Sequence, residues 1–370
     1  MNPLLALRES GQSVWLDHMS RGLITGGTLQ RLIDEDGLAG MTSNPTIFDK
    51  AIEGSDDYDA GLRRAVESHR SASNRDLVER LIVEDIQAAA DLFGPLYRDS
   101  DGLDGFVSLE VSPGSAHATE ATIAEARHLW HVVARPNVMI KVPATREGIP
   151  AVEALTAEGI NVNITLMFSL DHYEAVAQAF LRGLERHPNP RQIASVASVF
   201  VSRLDAVADP LLDKIGSSEA LALRGTIAIA NARRIYRRFR EIFHGERFAR
   251  LIQRGARVQR PLWASTGTKN PAYSDVLYLE SLVGPGTVTT VPPQTMDAFR
   301  DHGRVQVTLG KEETDAEATA TLNRAAALGV DVRAITEQLQ IDGIAAFASS
   351  FEQLSATVGI KRRELLAPAS

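Results

Sequence analysis

Cysteine is missing from all 370 residues, which excludes a disulfide framework, a thiolate nucleophile and a cysteine-ligated metal. No run approaches the ~18 consecutive apolar residues that a membrane span requires, so no membrane partner is expected. The opening MNPLLALRESGQSVWLD lacks the basic start and unbroken apolar stretch of a signal peptide, and a cytoplasmic protein is the expectation. Positive charge is also in deficit. With 39 Lys and Arg against 47 Asp and Glu, the net charge of -8 argues against a nucleic-acid partner, and an anionic ligand must be drawn by a local basic cluster. No GxGxxG turn follows a strand, and there is no repeat, low-complexity tract or obvious linker. What remains is an ordinary globular composition, 44% hydrophobic and 23% charged, that leaves a homo-oligomer open.

The most informative stretch is VMIKVPAT, residues 138–145. Val138, Ile140 and Val142 fall on one face of a period-2 ladder, with Met139 and Lys141 on the other and Pro143 closing the run. A lysine inside a buried strand is costly, because desolvation disfavours the ammonium form. The same penalty frees an amine to act as a nucleophile, as in Schiff-base catalysis. A surface lysine on an edge strand, or one whose stem is buried and whose head reaches water, would explain the stretch as well.

Seven further short apolar runs alternate with helical patterns. The strands are expected at 13–17, 38–43, 106–111, 138–144, 161–168, 193–201, 261–265 and 287–291. Helices are expected at 25–36, at 56–96 in two pieces with Gly94-Pro95 as the stop, and at 119–134, 147–158, 171–186 and 274–283. The 204–257 region reads as mostly helical, and after the last strand helices run to about 357 with breaks at Gly310, Gly329 and Gly343. Arg233, Arg234, Arg237, Arg238 and Arg240 form a basic stripe that reads as a solvated helix surface.

In NVNITLMF, Asn161, Asn163 and Thr165 share a face, yet a strand between two helices is usually buried on both sides. That polar face must therefore line something wet or catalytic. Eight strands alternating with helices predict an α/β fold, a closed parallel (β/α)8 TIM barrel with additional helices. Residues 1–370 are expected to form a single barrel domain, with extra helices at about 56–98, 205–258 and 312–358. A doubly wound open sheet is the competing architecture, weakened by the missing GxGxxG turn. Asp17, Asn44, Glu110, Lys141, Thr165 and Ser198 fall at or near the C-terminal ends of strands one to six, where barrels of this kind place their chemistry.

MTSNPTIF, SLEVSP, IKVPAT, GINVNITLMFS and SVFVSRLD, in this order and spacing, resemble the transaldolase family over residues about 13–300. The later segment WASTGTKNP resembles the branch found in longer bacterial chains. The resemblance implies a transferase of the pentose phosphate pathway, needing neither metal nor organic cofactor. It would move a dihydroxyacetone unit from sedoheptulose 7-phosphate or fructose 6-phosphate to glyceraldehyde 3-phosphate or erythrose 4-phosphate.

By resemblance, Lys141 is the Schiff-base lysine, Asp17 the acid/base at the C4 hydroxyl, and Glu110 with Thr165 the holders of a catalytic water. Asn44, Asn163 and Ser198 would contact the dihydroxyacetone fragment, while Arg203 and Ser265 would hold phosphate. The family often has a second arginine shortly after that serine, where this chain offers Lys269. Plainer roles stay open: a salt-bridging Asp17, a Glu110 that merely pairs with Lys141, a turn-forming Asn44, a backbone-bonded Ser198. A near relative, fructose 6-phosphate aldolase, releases free dihydroxyacetone. It tends to carry glutamine where this chain has Glu110 and tyrosine where it has Phe200. A non-catalytic barrel used for binding and a pyridoxal phosphate enzyme built on Lys141 are the remaining alternatives.

Overall fold

The computed structural model describes residues 2–69 and 71–366. Eight strands hydrogen-bond in sequence order into a closed barrel: β1 (Gln12–Asp17), β2 (Gly40–Thr42), β3 (Phe106–Glu110), β4 (Val138–Pro143), β5 (Val162–Met167), β6 (Ser195–Phe200), β7 (Gln259–Ala264) and β8 (Thr287–Val291). Every neighbouring pair is parallel, and β1 closes on β8. This is the (β/α)8 barrel. Its strands are buried on both faces because helices cover the outside while their own inward side chains fill the middle.

The register fixes which side chains meet inside. Asp17 stands opposite Thr42, Glu110 opposite Lys141, and Lys141 opposite Asn163. Below them Trp15 is fully buried against Phe106, their ring centroids 6.4 Å apart, and Gly40 is paired with Trp15. A side chain at Gly40 has no room, since a Cβ there would lie 2.6 Å from the indole and 2.7 Å from the Phe106 carbonyl. Lower still, the buried Arg260 guanidinium meets Asp104 at 3.0 Å and donates to the Ser13 hydroxyl. Those partners compensate a charge that would otherwise be expensive to bury.

Several expected boundaries move, each for a local reason. The 25–36 helix is two, Arg21–Thr25 and Thr28–Asp36, parted where Gly27 takes a left-handed φ of 77°. The Asn74–Asp99 helix does not stop at Gly94-Pro95. Pro95 is exposed near its last turn, and the carbonyl it cannot bond belongs to exposed Asp91, so water can satisfy it. Nor does Gly343 break the last helix, which runs unbroken from Val332 to Leu366, past the expected end near 357. A Cβ at Gly343 would lie 2.9 Å from the Leu166 side chain, so glycine there permits close approach of the helix to the barrel. The arginine stripe lies on Ile227–Phe243, where Arg233 pairs with Glu317 and Arg238 with Glu174 and Glu241. Among the described residues no helix is long and apolar enough to cross a membrane.

Gly40→Ala should overpack the barrel floor and cost about 1–3 kcal/mol or more. Urea unfolding checks this: the midpoint should fall with the slope unchanged.

Candidate active site

A cavity of about 320 Å³ opens at the C-terminal ends of the strands. On its wall stand Asp17 from β1, Asn44 after β2, Lys141 from β4, Thr165 from β5, Ser198 and Phe200 from β6, Arg203 just beyond, and Ser265 and Lys269 after β7. Glu110 and Asn163 are not on that wall but lie immediately behind it, bonded to residues that are. A larger cavity of about 580 Å³ lies among the outer helices and includes none of these residues.

Lys141 is 5% exposed, held in a strand whose residues are all buried. Its Nζ donates to the Ser43 carbonyl at 3.0 Å and lies 3.2 Å from Glu110 Oε2. Burial pushes the Glu110 carboxyl above its usual range, Lys141 pulls it back, and Asp17 adds to the rise. A carboxylate with raised proton affinity beside an amine suits an exchange of protons between them.

Asp17 accepts a hydrogen bond from the Thr42 hydroxyl at 2.8 Å, a contact the strand register dictates. Asn44 is both a cap and a wall residue. Its Oδ1 accepts from the Ile47 N–H at 3.0 Å to begin the helix Pro45–Glu53, leaving its amide N–H groups for the cavity. Behind Lys141 a chain of polar groups is fixed in one direction: Ser198 donates to Asn163 Oδ1 at 2.7 Å, and Asn163 Nδ2 donates to the Ser108 hydroxyl at 2.9 Å. Thr165 is fully buried, and its hydroxyl has no hydrogen-bond partner among the described residues. An unpaired buried hydroxyl carries a desolvation cost that a bound water or ligand would remove.

Backbone strain marks two positions at the cavity, one beside Thr165 and one at Ser265. Leu166, next to Thr165, has a φ of 54° at a register shift in β5. Ser265 has a φ of 55°, and its hydroxyl lies 3.0 Å from that of Ser202. Non-glycine residues in this region cost on the order of 1–2 kcal/mol, and both are anchored by their surroundings.

Arg203 makes no hydrogen bond or ion pair among the described residues. Its guanidinium carbon lies 5.1 Å from the Phe200 ring centroid and 5.9 Å from that of Phe347. Burial pulls its pKa down, opposed by Asp17 and Glu110. Among the described residues the cavity wall carries four basic side chains, Lys50, Lys141, Arg203 and Lys269, and one acidic one, Asp17. In a chain of net charge -8 this is the local basic cluster an anionic ligand needs. Among the described residues no three His, Asp or Glu side chains are grouped to hold a metal ion.

Sequence reading misses Thr42, Lys50, Thr290 and Phe347 on this wall, together with the Ser43 carbonyl. Strand register alone could have found Thr42. It also misses the function of Asp205 in SVFVSRLD. This carboxylate accepts from the Ala228 N–H at 2.8 Å and from the Tyr278 hydroxyl at 2.9 Å, tying the helix that bears Arg203 to the segment after β7.

The family described as Transaldolase/Fructose-6-phosphate aldolase matches residues 14–358. A Thermobifida fusca protein named transaldolase is 48% identical over 357 residues, covering 95% of this chain and 96% of that protein. Proteins of the same name from Mycobacterium tuberculosis and Mycobacterium marinum are each 45% identical, with 95% of either chain covered.

Burial pushes the Asp205 carboxyl up to about 7. An acid whose folded value is raised contributes stability in its protonated form, and that contribution is lost as pH rises from about 4 through 7. Thermal melts across this range should show the loss, and Asp205→Asn should flatten the profile by on the order of 2–4 kcal/mol.

Proposed function

Because this chain belongs to the transaldolase and fructose-6-phosphate aldolase family and is on that footing a transferase, we propose that it carries a dihydroxyacetone unit between sugar phosphates as a Schiff base on Lys141. The donors are ketose phosphates such as sedoheptulose 7-phosphate and fructose 6-phosphate. The acceptors are glyceraldehyde 3-phosphate and erythrose 4-phosphate, the exchange of the pentose phosphate pathway.

The observation that carries this reading is the buried Lys141 amine, 3.2 Å from Glu110 at the edge of a cavity rich in cations. Lys141 Nζ attacks the C2 carbonyl of the donor, and the resulting carbinolamine loses water to give an iminium. Glu110 supplies the proton for the departing hydroxyl, and the free hydroxyl of Thr165 holds the water with it. Asp17 then takes the proton of the C4 hydroxyl as the C3–C4 bond breaks. The electron pair of that bond moves into the iminium, leaving an enamine on Lys141 and a free aldose phosphate. The acceptor aldehyde enters, the enamine C3 attacks it, Asp17 returns its proton to the new hydroxyl, and water releases the product.

Thr42 steadies Asp17 for both proton transfers through its 2.8 Å hydrogen bond. Asn44, Asn163 and Ser198 bind or order the hydroxyls of the three-carbon fragment. Arg203, Ser265 and Lys269 take the phosphate, and the planar fork of Arg203, without an acceptor among the described residues, suits phosphate oxygens. Glu110 and Phe200 favour transfer over release, since a phenylalanine cannot deliver a proton to the enamine carbon.

Borohydride added with fructose 6-phosphate should leave a reduced three-carbon adduct on the peptide containing Lys141, and Lys141→Met should abolish both adduct and turnover. Label on another peptide would remove the mechanism. Rapid release of dihydroxyacetone without erythrose 4-phosphate would instead assign the aldolase reaction.

A further inference from the structure

The helix Val332–Leu366 crosses the mouth of the barrel and is tied down along its length. Glu337 meets the buried His172 at 3.0 Å, and Gln340 Nε2 donates to both the Ala144 and Leu166 carbonyls, at 3.0 and 2.9 Å. Ser350 accepts from Thr46, and Thr357 donates to Asp49. These contacts span the ends of β4 and β5 and the helix after β2, so the helix is a fixed roof.

One side chain from this roof reaches the cavity wall, Phe347. It is 5% exposed, one turn beyond Gly343, whose missing Cβ would lie 3.8 Å from Arg203 Nη1. Phe200 and Phe347 come from distant parts of the chain, β6 and the last helix, yet both rings pack on the same guanidinium. A cation in contact with two aromatic rings is attracted by their quadrupoles and keeps its in-plane N–H donors free. Among the described residues no carboxylate or carbonyl hydrogen-bonds Arg203, and the two rings are the groups packed on its fork.

We propose that Phe347 is a positioning residue that, with Phe200, clamps Arg203 so that its donors converge on the phosphate of the bound sugar. The proposal rests on the reading of Arg203 as the phosphate ligand. Phe347 touches neither reacting carbon nor proton; it lowers the cost of ordering a long, flexible arginine before the anion arrives. The aromatic ring on the roof therefore sets affinity for phosphorylated donors and leaves the chemistry at Lys141 alone.

The test compares fructose 6-phosphate with unphosphorylated fructose as donor, and adds inhibition by inorganic phosphate as a probe of the anion site. Phe347→Leu should raise KM for fructose 6-phosphate and Ki for inorganic phosphate by about 3- to 30-fold, with kcat within about twofold. Turnover of fructose should be unchanged, and Phe347→Tyr should restore wild-type constants. If Phe347→Leu fails to fold, Phe347→Met gives the same readout with the volume better filled. Arg203→Gln should raise both constants further, and Phe347→Leu should add nothing in that background. Equal losses with both donors, or an unchanged Ki, overturn the clamp while Arg203→Gln still reports phosphate binding. If Arg203→Gln leaves KM and Ki unchanged, the phosphate reading itself falls and the clamp with it.

Discussion

The constraint on which the rest depends is the confinement of one amine inside a barrel. Among the described residues Lys141 Nζ has two partners, the Ser43 carbonyl just after β2 and the Glu110 carboxylate that the strand register sets opposite it. Ser43 is fixed in turn by its hydroxyl, which donates to the Ser108 carbonyl at 2.9 Å. Removing the carboxylate would strand a buried charge, and removing the lysine would strand a carboxyl whose proton affinity burial has already raised. The polar chain behind them, Ser198 to Asn163 to Ser108, can exist only because β3, β5 and β6 all present small hydrogen-bonding groups to the interior at that height. The floor beneath is tightly filled, with Trp15, Phe106 and Gly40 in contact. A polar layer above an apolar one is how a single closed sheet can be both a stable core and a reactive site.

Much of this was legible in the sequence because period-2 alternation and strand-end position are local properties. Lys141 betrayed itself by standing in a run of Val, Ile and Met, and Asn163 with Thr165 by giving a buried strand a polar face. The eight expected strands coincide with those of the barrel, with ends that differ by up to two residues because fraying and caps decide where a ladder stops. Thr42 carries no signal of its own, since a threonine in a short strand is commonplace, and only pairing with β1 places it on Asp17. The Ser43 carbonyl could not be found at all, since backbone groups leave no mark in a sequence.

The misses in the helices have a different origin. Pro95 and Gly343 are local stop signals overruled by their surroundings, one by solvent access to an orphaned carbonyl, the other by contact with Leu166. Phe347 belonged to a stripe of Ile344, Phe347, Phe351 and Leu354 that reads as ordinary packing against the body. Most of it is that: Ile344 and Leu354 are buried, while Phe351 stacks on Arg75. Periodicity identifies the face of a helix that meets the protein but not which of its residues meets a cavity.

The roofing helix also bears on the order of events at birth. Its anchors at Thr46, Asp49, Ala144 and Leu166 are in place some 170 to 300 residues before their partners emerge from the ribosome, so the closures are among the most non-local in the chain. Until then a barrel closed by β8 lacks the helix that bonds across the ends of β4 and β5. The last stage of synthesis thus completes the cavity wall, since Phe347 is supplied only by the helix that begins at residue 332.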